Sequence, residues 1–102
     1  MDKKSALRIA RTYAKLVQEN FDVEQILLFG SFAKGTPSQN SDIDIAIIVN
    51  AIEGDYLEEQ ARLFKLRRAI DLRIEPVLLV GGRDDSGFLS EVVRTGEVLY
   101  RS

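Results

Sequence analysis

A chain of 102 residues, 45% hydrophobic and 29% charged, has the composition of an ordinary globular protein and room for one core, so it reads as a single domain over 1–102. With no cysteine and no histidine, disulfides, thiolate redox chemistry, an ordinary zinc site and a His-based triad are excluded, which leaves acid–base work to carboxylates, lysine, tyrosine or water. The 14 basic and 16 acidic residues give a formal charge of −2, the wrong balance for a protein held on nucleic acid by bulk positive charge.

The N-terminal charges are followed by no secretory apolar run, and no stretch approaches membrane-spanning length, so a cytoplasmic protein without a membrane partner is expected. From Lys3 to Glu19 the apolar residues Leu7, Ala10, Ala14 and Val17 recur at three and four, flanked by Ile9, Tyr13 and Leu16, which predicts an amphipathic helix. Its polar face gathers Lys3, Lys4, Arg8, Arg11 and Lys15, read first as a solvated surface, with a phosphate or partner contact as the alternative.

Two short runs rich in Ile, Leu, Phe and Val follow, Val23–Phe29 and Asp42–Val49, predicted as buried strands around a loop of Gly, Thr, Pro, Ser, Gln and Asn. Gly30-Ser31 ends the first strand. If it opens a short helical turn over Ser31–Lys34, it offers backbone N–H groups and a hydroxyl to a phosphate, and Lys34 stands three residues on, within reach of the same anion. Asp42 and Asp44 are two apart on a strand, so both carboxylates project from one side while Ile43, Ile45 and Ile47 form the buried face. Like charges so placed repel and call for a cation between them; hard oxygen donors suit Mg²⁺ or Mn²⁺, completed by substrate phosphates. Each half of this pattern alone is commonplace. Together they imply phosphoryl or nucleotidyl transfer.

Gly30-Ser31, ten residues, then Asp42-x-Asp44, with an apolar strand on each flank, closely resembles the signature of the DNA polymerase beta nucleotidyltransferase superfamily, and at this length its minimal nucleotidyltransferase (MNT) group. The resemblance implies that Asp42 and Asp44 hold the two Mg²⁺ ions of a nucleoside triphosphate, with Gly30 and Ser31 on its phosphates. It implies transfer of a nucleoside monophosphate, AMP from ATP, to an acceptor hydroxyl. Many MNT members are antitoxins that silence HEPN-domain toxins by adding AMP to a toxin tyrosine, so a HEPN-type partner is expected. Two other classes stay open: an antitoxin or regulatory subunit acting by contact alone, and a small-molecule transferase like the aminoglycoside enzymes, ranked lower because those add a second helical domain. Base, acceptor and self-association are not set by the sequence.

Asp55, with Glu58 three residues later, predicts the start of a second long helix whose apolar side carries Leu57, Ala61, Leu63, Phe64 and Ile70 and whose last turns carry Arg62, Lys65, Arg67 and Arg68. Asp71–Val80 is a third strand, and Pro76 within it predicts an edge position or a bulge. Ser86 or Asp85 is expected to cap a short helix through Phe88, Leu89, Val92 and Val93, stopped by Gly96 as a C′ residue, before a small terminal strand over 97–101. The expected fold is α/β (α+β), a mixed sheet of three or four strands with helices on one face.

For a third carboxylate, Asp71 and Glu75 compete. Both share a face of the third strand with Arg73. A helical crossover joins parallel strands, which brings the start of the third strand, and Asp71 with it, to the Gly-Ser end, and sets Glu75 about 13 Å deeper. The run Ile70-Asp71-Leu72-Arg73 also resembles the third-carboxylate strand of polymerase beta. Asp71 is therefore assigned to the catalytic metal, and Glu75 is left to pair with Arg73 or another basic side chain.

Overall fold

A computed structural model describes residues 1–37, 41–84 and 86–102. Four strands, β1 (Gln25–Phe29), β2 (Ile43–Val49), β3 (Ile74–Val80) and β4 (Glu97–Arg101), form one mixed sheet in the order β3-β2-β1-β4. The hairpin partners β1 and β2 are antiparallel, as are β1 and β4, while β2 and β3 run parallel across a helical crossover, as expected of such a connection. The two central strands are the most continuously apolar, Ile-Leu-Leu and Ile-Ala-Ile-Ile-Val, because both of their faces are covered.

β3 is shorter than the sequence suggests. Asp71 donates its N–H to the Arg67 carbonyl at 2.8 Å and accepts the Arg73 N–H on its carboxylate at 2.9 Å, so residues 71–73 close a turn and the ladder begins only at Ile74. Asp42 likewise stands one residue ahead of β2.

The helix α1 (Lys3–Asn20) is capped by Asp2, whose Oδ1 accepts the Ser5 N–H at 2.8 Å, and lays Ala6, Ala10, Tyr13, Ala14 and Val17 on the sheet. Three alanines on that stripe let the helix approach closely. Tyr13, fully buried, donates its hydroxyl to the Leu63 carbonyl at 2.7 Å, tying α1 to the crossover helix α3 (Tyr56–Leu66), which continues through a 3₁₀ turn, Arg67–Ala69.

The inward face of α3 matches the expected one at Leu63 but not at Leu57 or Ala61. Leu57 is 73% exposed and Ala61 is exposed too, while Tyr56, Gln60, Leu63 and Arg67 face the domain. The reason is the strand they meet. β3 is a sheet edge, as Pro76 predicted, and polar side chains close it: Gln60 donates to the Pro76 carbonyl at 2.7 Å and accepts the Leu78 N–H at 3.0 Å, Tyr56 donates to the Leu78 carbonyl at 2.8 Å, and Arg67 donates to the Ile74 carbonyl at 2.9 Å. An apolar periodicity cannot show such a face.

α1 and α3 cover one side of the sheet. The last helix, α4 (Phe88–Thr95), packs Val92 on the other, against Leu27, Ala46 and Ile48. Asp84 anchors it, accepting the Leu89 N–H at 2.8 Å and the Ser90 N–H at 3.1 Å, with Ser86 accepting the Phe88 N–H at 3.3 Å; the alternative cap Asp85 lies outside the described residues. Gly96 ends α4 with φ −77, not in the left-handed form expected, and is glycine for space: a Cβ there would lie 2.6 Å from the Val92 carbonyl oxygen. No helix among the described residues is long and apolar enough to cross a membrane.

Candidate active site

Gly30 leaves β1 with φ +74 and opens the short helix α2 (Gly30–Lys34), which Gly35 ends at φ 76. Among the described residues no side chain caps its N-terminus, which leaves the leading N–H groups to be satisfied by solvent or an anion. A Cβ on Gly30 would lie 2.2 Å from Asp44 Oδ2. The carboxylate thus rests on backbone where any other residue would put a side chain, and glycine is required there both for its φ and for that contact. Ser31 is on the same first turn, and Lys34 is exposed on the last, with no ion pair among the described residues.

Asp44 lies on β2 opposite Phe29 of β1, on the face away from α1 and α3. Burial first, then the negative charges of Asp42 and Glu75, push its carboxyl up to about 6. Asp42, exposed just ahead of the strand, is therefore close enough to act on Asp44, as the two-residue spacing predicts.

The third carboxylate is where structure and expectation part. Asp71, in the turn before β3, is held by Arg73, whose Nη2 and Nε donate to its two carboxylate oxygens at 2.7 and 3.0 Å and whose guanidinium keeps it below the usual carboxylate range. The β2–β3 register sets Glu75, not Asp71, directly beside Asp44. The argument for Asp71 from parallel strands fails because the strand starts three residues later than assumed, so Glu75, not Asp71, comes level with the cleft. Arg73 goes to Asp71, and Glu75 meets Arg67 at 3.5 Å. Glu75 was visible in the sequence as a candidate; what ranked it second was a boundary hidden in the Asp71 turn.

The gathered groups are Gly30, with Ser31 next to it, Asp42, Asp44 and Glu75, while Lys34 is exposed at the far end of α2. Among the described residues no three acidic or histidine side chains are drawn together closely enough to hold a metal ion by themselves. The chemistry of the donors nonetheless fits a hard divalent cation: a partly buried carboxylate with two anionic neighbours, beside the opening turn of α2, is stabilised by a cation that shares its remaining ligands with a phosphate.

Comparison with known proteins identifies the family and its fold. A family model described as polymerase beta, nucleotidyltransferase matches residues 12–102. The protein adenylyltransferase MntA of Shewanella oneidensis is 37% identical over 91 residues, covering 84% of this chain, which spans 60% of that relative's length. The crystal structure of a toxin-antitoxin with AMP-PNP superposes with TM-score 0.68 at 34% identity, over 90% of this chain and 73% of that one. A tri-AMPylated S. oneidensis HEPN toxin in complex with its MNT antitoxin is also similar, with TM-score 0.63 and 28% identity over 98% of this chain and 73% of that one.

Proposed function

This chain belongs to the polymerase beta nucleotidyltransferase family, and from that premise we propose that it transfers AMP from ATP, with Mg²⁺, to a hydroxyl of a HEPN-type partner protein in the cytoplasm, as the antitoxin of such a pair. The observation that carries the reading is the seating of Asp44 against Gly30, which sets a metal-type carboxylate beside the turn whose amides suit a phosphate. The similarity to an adenylyltransferase and to a toxin complex with AMP-PNP supports adenylate and a protein acceptor.

In this reading Gly30 and Ser31 bind the terminal phosphates through N–H groups and the hydroxyl, and the Lys34 ammonium offsets their charge. Asp42 and Asp44 hold the metal ions, and Glu75, from the neighbouring strand, takes the third position in place of Asp71. Bound Mg²⁺ supplies charge stabilisation at the α-phosphate and on the leaving pyrophosphate. The acceptor oxygen forms its bond to the α-phosphorus, the bond to the bridging oxygen breaks, pyrophosphate leaves, and in this reading Glu75 receives the hydroxyl proton.

Intact mass measurement of a HEPN partner after incubation with the protein, Mg²⁺ and ATP tests this directly. Additions of AMP are expected with wild type and with Asp71→Asn, and none with Asp42→Ala or Glu75→Gln. Stable binding of the partner without any mass change would replace transfer by the contact-only alternative, and an active Glu75→Gln beside a dead Asp71→Asn would restore Asp71.

A further inference from the structure

Beside the carboxylates stands an aromatic pair that the transfer chemistry does not use. Phe29, the last residue of β1, is the cross-strand partner of Asp44 and shares its face of the sheet. Phe88, the first residue of α4, meets it edge to face, centroids 5.6 Å apart and planes at 82°. Phe29 is partly buried, but Phe88 leaves 40% of its surface in water. A lone exposed Phe is common on protein surfaces and needs no role. This one differs in being held in place: Asp84 and Ser86 fix the first amides of α4, Gly87 turns the chain into it at φ 79, and Phe29 orients the ring from below.

The Phe88 ring also lies at a useful distance. One cross-strand step from Asp44 to Phe29 and one ring contact beyond it keep the Phe88 ring within on the order of 10 Å of Asp44, inside the reach of a nucleoside from its α-phosphate to its base. Every base has a π face, and an aromatic ring receives it with no hydrogen-bonding groups of its own. We propose that Phe88 is the platform on which the base of the bound nucleotide stacks, and that it favours purine over pyrimidine triphosphates because the larger ring system overlaps more of it. This rests on the nucleotide-site reading above and adds to it the group that senses the base.

Calorimetric titration with a non-hydrolysable ATP analogue, the matching CTP analogue and inorganic tripolyphosphate, each with Mg²⁺, separates the two. Wild type is expected to bind the ATP analogue more tightly than the CTP analogue. Phe88→Ala should weaken the ATP analogue about tenfold, narrow its advantage over CTP and leave tripolyphosphate unchanged. Phe88→Leu, which keeps an apolar contact on Phe29 and so guards against a folding defect, should show the same loss, and Phe88→Trp should restore affinity. Variants that bind the ATP analogue as wild type does overturn the platform alone, as does a loss shared equally by tripolyphosphate. A wild-type protein that binds none of the three overturns the nucleotide site, and the platform with it.

Discussion

Burial and the charges of Asp42 and Glu75 push the Asp44 carboxyl up to about 6, which makes it a source of instability as well as of function. The unfolded value is near 3.8, so between the two the native state binds more protons than the unfolded chain, and stability falls as pH rises from about 4 to about 6. Above that range the whole cost is present. Asp44→Asn should therefore stabilise the metal-free protein at pH 7, by on the order of 1 kcal/mol once the partial exposure of the group is discounted, while abolishing transfer. Urea unfolding without metal measures it, and a lower midpoint for the variant would contradict the assigned repulsion. Gly30→Ala acts on the same contact from the other side. Its φ of +74 alone costs a side-chain-bearing residue about 1–2 kcal/mol, and its Cβ would displace the Asp44 carboxylate, so both stability and nucleotide binding should drop.

How elements dock decides which residues the sequence displays and which it conceals. The D-x-D pair was legible because it needs only strand parity, and the Gly30-Ser31 turn because β1 and β2 are neighbours in the chain. Glu75 was harder to rank, since its place depends on where the Asp71 turn ends and on a β2–β3 register set by a crossover of more than twenty residues. The rotation of α3 was hidden for a different reason: of the expected apolar side Leu63 docks, but in line with the polar Tyr56, Gln60 and Arg67 instead of with Leu57 and Ala61. Gln60→Leu tests the docking face. It leaves the Pro76 carbonyl and Leu78 N–H without their partner and should cost about 1–3 kcal/mol in thermal or urea unfolding. It should also raise aggregation by baring an edge strand. An unfolding midpoint equal to wild type would show that water replaces Gln60 without loss.

At the scale of the whole molecule, the two faces of the sheet are treated differently. α1 and α3 close one, over Ile26, Leu28, Ile43, Ile45 and Ile47, whereas on the other α4 rests on Leu27, Ala46 and Ile48, and Glu75, Val77 and Leu79 of β3 stay partly exposed. The carboxylates open onto this second face, beside the β3 shelf. A nucleotide on Gly30, Ser31 and Phe88 would use one flank of it, leaving an acceptor, among the described residues, only the shelf and solvent. Such a surface presents a shallow wall rather than the enclosing pocket that binds a small molecule well. A macromolecular acceptor brings its own walls and delivers its hydroxyl already oriented, an advantage that a freely diffusing hydroxyl lacks. We therefore expect transfer to a bound partner protein to exceed transfer to a free tyrosine derivative by at least about 100-fold at equal acceptor concentration. Pyrophosphate release measured with each acceptor in turn gives the ratio. Comparable rates would mean that the open face encloses small acceptors by itself, and would favour a small-molecule transferase over the antitoxin reading.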